Sequence, residues 1–196
     1  MNDRSILILV NKSHRLSADY IPPCLVRPNV PFADSHAQGE KTLLVQKAAC
    51  ALEILFAAAA MDGLFLYAVS GFRSYGRQKE IYEANLREKG EEHTSLYSAP
   101  PGASEHQTGL AMDVSSASAD FGLEESFADT AEGRWLAANS WRYGFIIRYP
   151  SDKTCITGYA YEPWHLRYVG MIPATYMYKN NITLEEYYRR CCGCPC

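Results

Sequence analysis

Four residues in two short stretches have the types and spacing for metal chemistry. In Ser104-Glu105-His106-Gln107-Thr108-Gly109-Leu110-Ala111-Met112-Asp113, a histidine precedes an aspartate by seven positions. In Glu162-Pro163-Trp164-His165, about fifty residues later, a glutamate precedes a histidine by three. A catalytic zinc takes three protein ligands and keeps one position for water. His106, Asp113 and His165 would supply two nitrogens and one oxygen. Gly109 permits a turn, after which a strand can bring Asp113 back beside His106. Ala111 shares a strand face with Asp113, because side chains two apart point the same way, and its small size leaves room there. Pro163 argues against a helix interior, so the second stretch is expected to enter a strand. Glu162 could then face a metal-activated water as general base without being a ligand.

Spacing alone leaves a second account open. A buried histidine is commonly held by ordinary hydrogen bonds, and a strand aspartate by nearby backbone donors. His14, His36 and His93 take that account, since each lies in a polar stretch without a companion carboxylate.

The surrounding pattern must position these groups. Residues 6–10, a β-branched run, are expected to be a strand. Residues 11–32 carry Pro22, Pro23, Pro28 and Pro31, a density that denies regular structure and implies an extended arm pinned by Tyr20, Leu25 and Val26. Apolar spacing predicts a helix over 40–61 with Gly63 as its stop, then a strand over 64–70. Ser74 is placed to cap a second helix ending at Gly90, followed by a loop over 91–103. A strand over 110–115 carries Asp113, and 116–129 read as irregular. A third helix spans 130–142, ended by Gly144, with strands over 145–149 and 164–169. Thr183 and Glu186 stand at capping-box spacing for a last helix. The sum is one α+β domain, a small antiparallel sheet flanked by helices, over residues 1–190. Residues 1–35 form its extended N-terminal arm, and a cysteine-rich tail occupies 191–196.

Composition narrows the partners. The 196 residues are 47% hydrophobic and 21% charged, ordinary for a globular domain, with a net charge of −3 and no basic cluster for nucleic acid. No stretch approaches the roughly 20 apolar residues of a membrane span, and the apolar run near the start is short for a signal peptide. Of seven cysteines, Cys191, Cys192, Cys194 and Cys196 crowd the end. That uneven, odd set does not read as a disulfide framework and favours a reducing compartment. The expectation is a cytoplasmic monomer, with an extracytoplasmic location as the alternative should a leader or anchor have been removed.

The two stretches also resemble a known family. Ser104-x-His106-x-x-Gly109-x-Ala111-x-Asp113 matches the SxHxxGxAxD signature of the LAS-type zinc peptidases, and Glu162-Pro163-Trp164-His165 matches their ExxH element. That family, peptidase family M15, includes VanY-like D-alanyl-D-alanine carboxypeptidases, VanX and VanXY enzymes of vancomycin resistance, and phage endolysin peptidases. Leu9-Val10-Asn11-Lys12 looks like its opening strand. Ser70-Gly71-Phe72-Arg73-Ser74 with Gln78, and Phe145-Ile146-Ile147-Arg148-Tyr149-Pro150, resemble the VanY and VanXY branch.

The resemblance implies a hedgehog/DD-peptidase-like fold holding one Zn2+. It makes His106, Asp113 and His165 the ligands, Glu162 the base and Arg73 the group facing the scissile carbonyl or the terminal carboxylate. Ser104, Gln78 and Tyr149 would contact substrate. It implies hydrolysis of the last D-Ala from D-Ala-D-Ala-ending peptidoglycan precursors, or of the D-Ala-D-Ala dipeptide itself. The alternatives are an L,D-carboxypeptidase or a peptidoglycan endopeptidase of the same fold and, in another class, a non-catalytic peptidoglycan-binding module. The cysteine-rich end has no counterpart in the family pattern.

Overall fold

The computed structural model describes residues 6–192. Its centre is a four-stranded antiparallel sheet in the order β3-β4-β6-β5, formed by Tyr67–Ser70 (β3), Ala111–Ser115 (β4), Phe145–Tyr149 (β5) and Glu162–Tyr168 (β6). Two short strands, Leu25–Val26 (β1) and Leu44–Val45 (β2), pair separately. Helix α1 (Gln46–Met61) packs on the sheet through Ala48, Leu52, Leu55 and Ala59, meeting Ala68, Met112, Val114, Phe145 and Leu166 in the main core. Helices α2 (Tyr75–Tyr97) and α3 (Ala131–Asn139), the single-turn α4 (Thr154–Thr157), α5 (Met171–Asn180) and α6 (Leu184–Cys192) complete the α+β architecture.

The caps behave as their chemistry dictates. The Ser74 hydroxyl accepts from Arg77 N, and the Thr130 hydroxyl from Gly133 N. Thr183 and Glu186 form a reciprocal capping box, with Thr183 N donating to Glu186 Oε2 at 2.9 Å and Glu186 N to Thr183 Oγ1 at 3.3 Å. Gly144, at φ 84°, ends the turn after α3. Strand β6 begins at Glu162, two residues before the expected 164, and Pro163 sits inside it where the register with β5 is irregular. A residue without an N–H is tolerated at such a place.

Several expectations are corrected. Residues 6–10 form no strand: Arg167 Nη2 takes the carbonyls of Ile6 and Ile8, so a side chain satisfies groups that a neighbouring strand would otherwise pair. The helix expected over 40–61 starts only at Gln46, because Leu44 and Val45 pair with the arm and Val45 N donates to Gly109 O. The strand expected over 64–70 is confined to Tyr67–Ser70. Gly90, at φ 78° and ψ 171°, breaks α2 as expected, but a second helical piece follows it to Tyr97 where a loop was expected. Helix α5 was not expected at all.

The proline-rich arm is extended and held as anticipated. Leu25 and Val26 pair with β2, a parallel bridge joins Phe32 to Ala68, and Gln107 Nε2 donates to the carbonyls of Ser17 and Tyr20. The cysteine-rich tail expected at 191–196 lies largely outside the described residues, with α6 ending at Cys192.

Candidate active site

The two stretches meet across the β4–β6 pair, where Asp113 stands directly opposite His165 in the register. His106 comes from a 3₁₀ turn, Glu105–Thr108, just before β4. Gly109 closes that turn in the left-handed conformation, φ 65°. A Cβ there would lie 2.8 Å from Leu25 and 3.1 Å from Val45. A side chain here would crowd both residues and be strained at this φ, so glycine suits the position, and the reversal it allows brings Asp113 to His106.

His106 Nε2 lies 3.2 Å from Asp113 Oδ2, and His165 Nδ1 lies 3.1 Å from Asp113 Oδ1. The two imidazoles are edge to face, their centroids 4.9 Å apart. His106 Nδ1 is 2.7 Å from Gly71 O; a carbonyl can only accept, so Nδ1 carries the hydrogen and Nε2 presents its lone pair inward. All three ligand atoms lie within 4.8 Å of one another, and the three residues are buried. Asp113 Oδ1 is buried with no hydrogen-bond partner among the described residues. Tetrahedral zinc with bonds of about 2.0–2.2 Å needs ligand atoms about 3.3 Å apart, so this set fits the ion.

Electrostatics separate two carboxylates on the ligand side of the site. Burial works to raise Asp113, but the two histidines outweigh it and hold the group well below the carboxylate range. Glu162 is pushed up to about 7 by burial and the Asp113 charge, against the opposing pull of His165 and Arg73. Its Oε2 lies 3.7 Å from His165 Nδ1, on the side where the ligand atoms converge. A carboxylate with affinity for a proton near neutrality suits a general base that must also give the proton back. In the metal-free protein, burial opposes charge on His165, yet Asp113 and Glu105 raise it to about 9.

Arg73 follows β3 and is fixed at both prongs. Nη1 donates to Gln78 Oε1 at 2.9 Å, Nη2 donates to Ser70 Oγ at 3.1 Å, and Nη2 lies 4.0 Å from Asp113 Oδ2. Gln78 also donates Nε2 to Ala99 O at 2.7 Å, so its amide is engaged at both ends and holds the guanidinium in place. Ser104 and Tyr149 line the same cavity of about 230 Å³ as Arg73, Glu162 and the ligand set. Every site residue anticipated from sequence is therefore brought to one cavity. A second pocket of about 610 Å³, lined by His93, Lys89 and Glu124 among others, shares Tyr97, Leu123 and Trp164 with this cavity.

Sequence reasoning missed five residues around the site. Glu105 sits inside the motif itself, and its Oε1 accepts from Arg148 Nε and Arg167 Nη1, each at 2.7 Å. Arg148 also grips Glu185 of α6 with Nη1 and Nη2, at 2.9 and 2.6 Å. The available signal was an arginine inside each of two apolar strands, which implies a buried carboxylate to meet it. Burial works to raise Glu105, but the two guanidinium groups overwhelm it and keep the group ionised. The fifth is Tyr159, whose buried hydroxyl has no partner among the described residues and whose side chain lines the cavity.

Comparison with known proteins agrees with this geometry. The family profile described as VanY, D-alanyl-D-alanine carboxypeptidase, matches residues 41–171. The chain belongs to the VanY family. It is an enzyme of the zinc metallopeptidase class. It is 49% identical over 189 residues to YodJ of Bacillus subtilis, covering 96% of this chain and 69% of that protein. The solved structure of the LdcB LD-carboxypeptidase superposes with a TM-score of 0.90 at 49% identity, covering 96% of this chain and 88% of that one. The D,D-pentapeptidase VanY from a VanB-type resistance cassette, solved in complex with Zn(II), gives 0.75 at 35% identity, covering 93% of this chain and 98% of that one. Both have the same fold as this protein. No helix among the described residues is long and apolar enough to cross a membrane.

Proposed function

We propose that this protein is a zinc carboxypeptidase that removes the C-terminal D-alanine of a peptidoglycan stem peptide. The observation that carries the proposal is the convergence of His106 Nε2, Asp113 and His165 Nδ1 beside Glu162, whose proton affinity is near neutral, and a fixed Arg73. Zinc held by those three residues would polarise the scissile carbonyl and acidify the attacking water.

The chain's own residues supply the rest. Glu162 takes the proton from the water as its oxygen attacks the carbonyl carbon. It then delivers that proton to the nitrogen of the departing D-alanine as the C–N bond breaks. Arg73, with both prongs braced, presents its remaining N–H groups to the developing oxyanion or to the substrate's terminal carboxylate. Tyr159, held protonated because burial pushes its hydroxyl well above the ordinary phenol value, is placed to donate to an anion there. Ser104 and Tyr149 shape the wall.

The second pocket, which shares Trp164 with the cavity, favours a peptide over a free dipeptide, since a dipeptide would leave it unfilled. Between the two stereochemical forms, the greater likeness to LdcB than to VanY favours the L,D reaction on a tetrapeptide. The D,D reaction on a pentapeptide is the second reading, favoured by the VanY family profile. Zinc-loaded protein is to be incubated with dipeptide, tetrapeptide and pentapeptide, and the products identified by mass. D-alanine released fastest from tetrapeptide is the expected result; faster release from pentapeptide selects the second reading. Release from none of the three, with zinc bound, rejects a D-alanine carboxypeptidase.

A further inference from the structure

Two buried polar atoms beside the cavity have no hydrogen-bond partner among the described residues, and they face one another. They are His165 Nε2 and Glu105 Oε2, 3.5 Å apart. On the opposite edge of the same ring, Nδ1 points at Asp113 Oδ1 and Glu162 Oε2. An imidazole that gives one nitrogen to a metal carries its hydrogen on the other, and a buried N–H needs an acceptor.

The Glu105 carboxylate is arranged to be that acceptor. Both arginines take the same oxygen, Oε1, although a carboxylate between two guanidinium groups could give one oxygen to each. Oε2 is left for the histidine. His106 offers the contrast: its outer nitrogen is received by the neutral carbonyl of Gly71. The support behind Glu105 runs outward, because Arg148 is clasped by Glu185 of α6, and Arg167 holds the carbonyls of Ile6 and Ile8. The side chains of Glu105, Arg148 and Arg167 are wholly buried, so water cannot replace any partner.

We infer that Glu105 is a positioning residue. It receives Nε2–H of His165, turns Nδ1 toward the metal and strengthens that nitrogen as a ligand, while Arg148 and Arg167 keep its second oxygen aimed at the ring. This rests on the metal site proposed above.

The test compares wild type with Glu105→Gln. The two arginines would keep the amide oxygen, so the amide NH2 would face Nε2–H, donor against donor. Zinc affinity, measured by chelator competition on folded protein, is expected to fall about 10–100-fold. The visible spectrum of the cobalt-substituted protein should change in intensity, a response that mere destabilisation would not give. Should Glu105→Gln not fold, wild-type protein with 15N-labelled histidine decides: zinc-loaded His165 should show a slowly exchanging proton on Nε2 and a metal-shifted Nδ1. Unchanged zinc affinity and an unchanged cobalt spectrum in the variant, or a freely exchanging Nε2 proton in wild type, overturns the role of Glu105 and leaves the metal site standing. A wild-type protein that takes up no zinc overturns both.

Discussion

Two clusters of buried charge share strand β6 and the turn before β4, and they are finished to different degrees. In the outer cluster, Glu105, Arg148, Arg167 and Glu185 balance two negative charges with two positive ones, and every guanidinium nitrogen has an acceptor. In the inner cluster, His106, Asp113 and His165 crowd three ligand atoms together, and Asp113 Oδ1 is left without a partner. The outer cluster leaves open only Glu105 Oε2, which faces His165 of the inner one. The inner one gathers three ligand atoms for a group the protein does not itself supply, and Glu105 of the outer cluster stands 3.5 Å from one of its rings. The same residue type thus serves opposite ends: Glu105 is locked ionised, whereas Glu162, on the other edge of the His165 ring, has a proton affinity near neutral pH.

Substitutions test whether the clusters differ in this way. The largest effect should come from Asp113→Ala, which removes the anion between the two histidines. Bound zinc, measured by elemental analysis, should fall from about one per chain to near none, and hydrolysis should vanish with it. Glu162→Gln should keep the zinc and lower kcat by about 10²–10⁴-fold, because it removes proton transfer and not a ligand. If zinc is lost instead, Glu162 belongs with the ligands.

Arg148→Met strikes the outer cluster and should cost about 3–5 kcal/mol of folding stability in a denaturant titration, since Glu105 and Glu185 would each lose a buried cation. The wild-type network has a pH signature. Both carboxylates are held below their ordinary range, so their stabilisation is complete above about pH 4.5 and is lost as pH falls through their lower folded values. Arg148→Met should flatten that acid limb.

The smallest effect is on metal uptake. His165 in the metal-free protein holds its proton up to about pH 9, and that proton must leave before Nδ1 can bind. Zinc affinity should therefore rise by about tenfold per pH unit below that value and level off above it, provided one proton is displaced. A flat profile between about pH 7 and 9 would show that His165 is already neutral.

Much of the site was legible in sequence because its parts are local. Seven residues and one glycine set His106 against Asp113, and a proline that resists helix set Glu162 and His165 along a strand. Arg73 was legible only through family likeness; nothing in its own neighbourhood distinguishes it from a surface arginine at a helix start. The fold was legible where periodicity or capping acts within one segment, as in α3 and the Thr183–Glu186 box. It was misread where a distant group intervenes. The run at 6–10 has strand chemistry, but Arg167, more than 150 residues away, claims its carbonyls.

The sequence by itself determined which atoms could hold a metal and which carboxylate could move a proton, since those depend on residue type and short spacing. The tertiary structure alone decided how those atoms are aimed. The bond that His106 Nδ1 donates to Gly71 O, and the pairing of Glu105 with arginines from β5 and β6, join segments far apart in the chain. Burial is the physical reason. A carboxylate or an imidazole takes its charge and orientation from the groups packed against it, and only the closed fold brings those groups together.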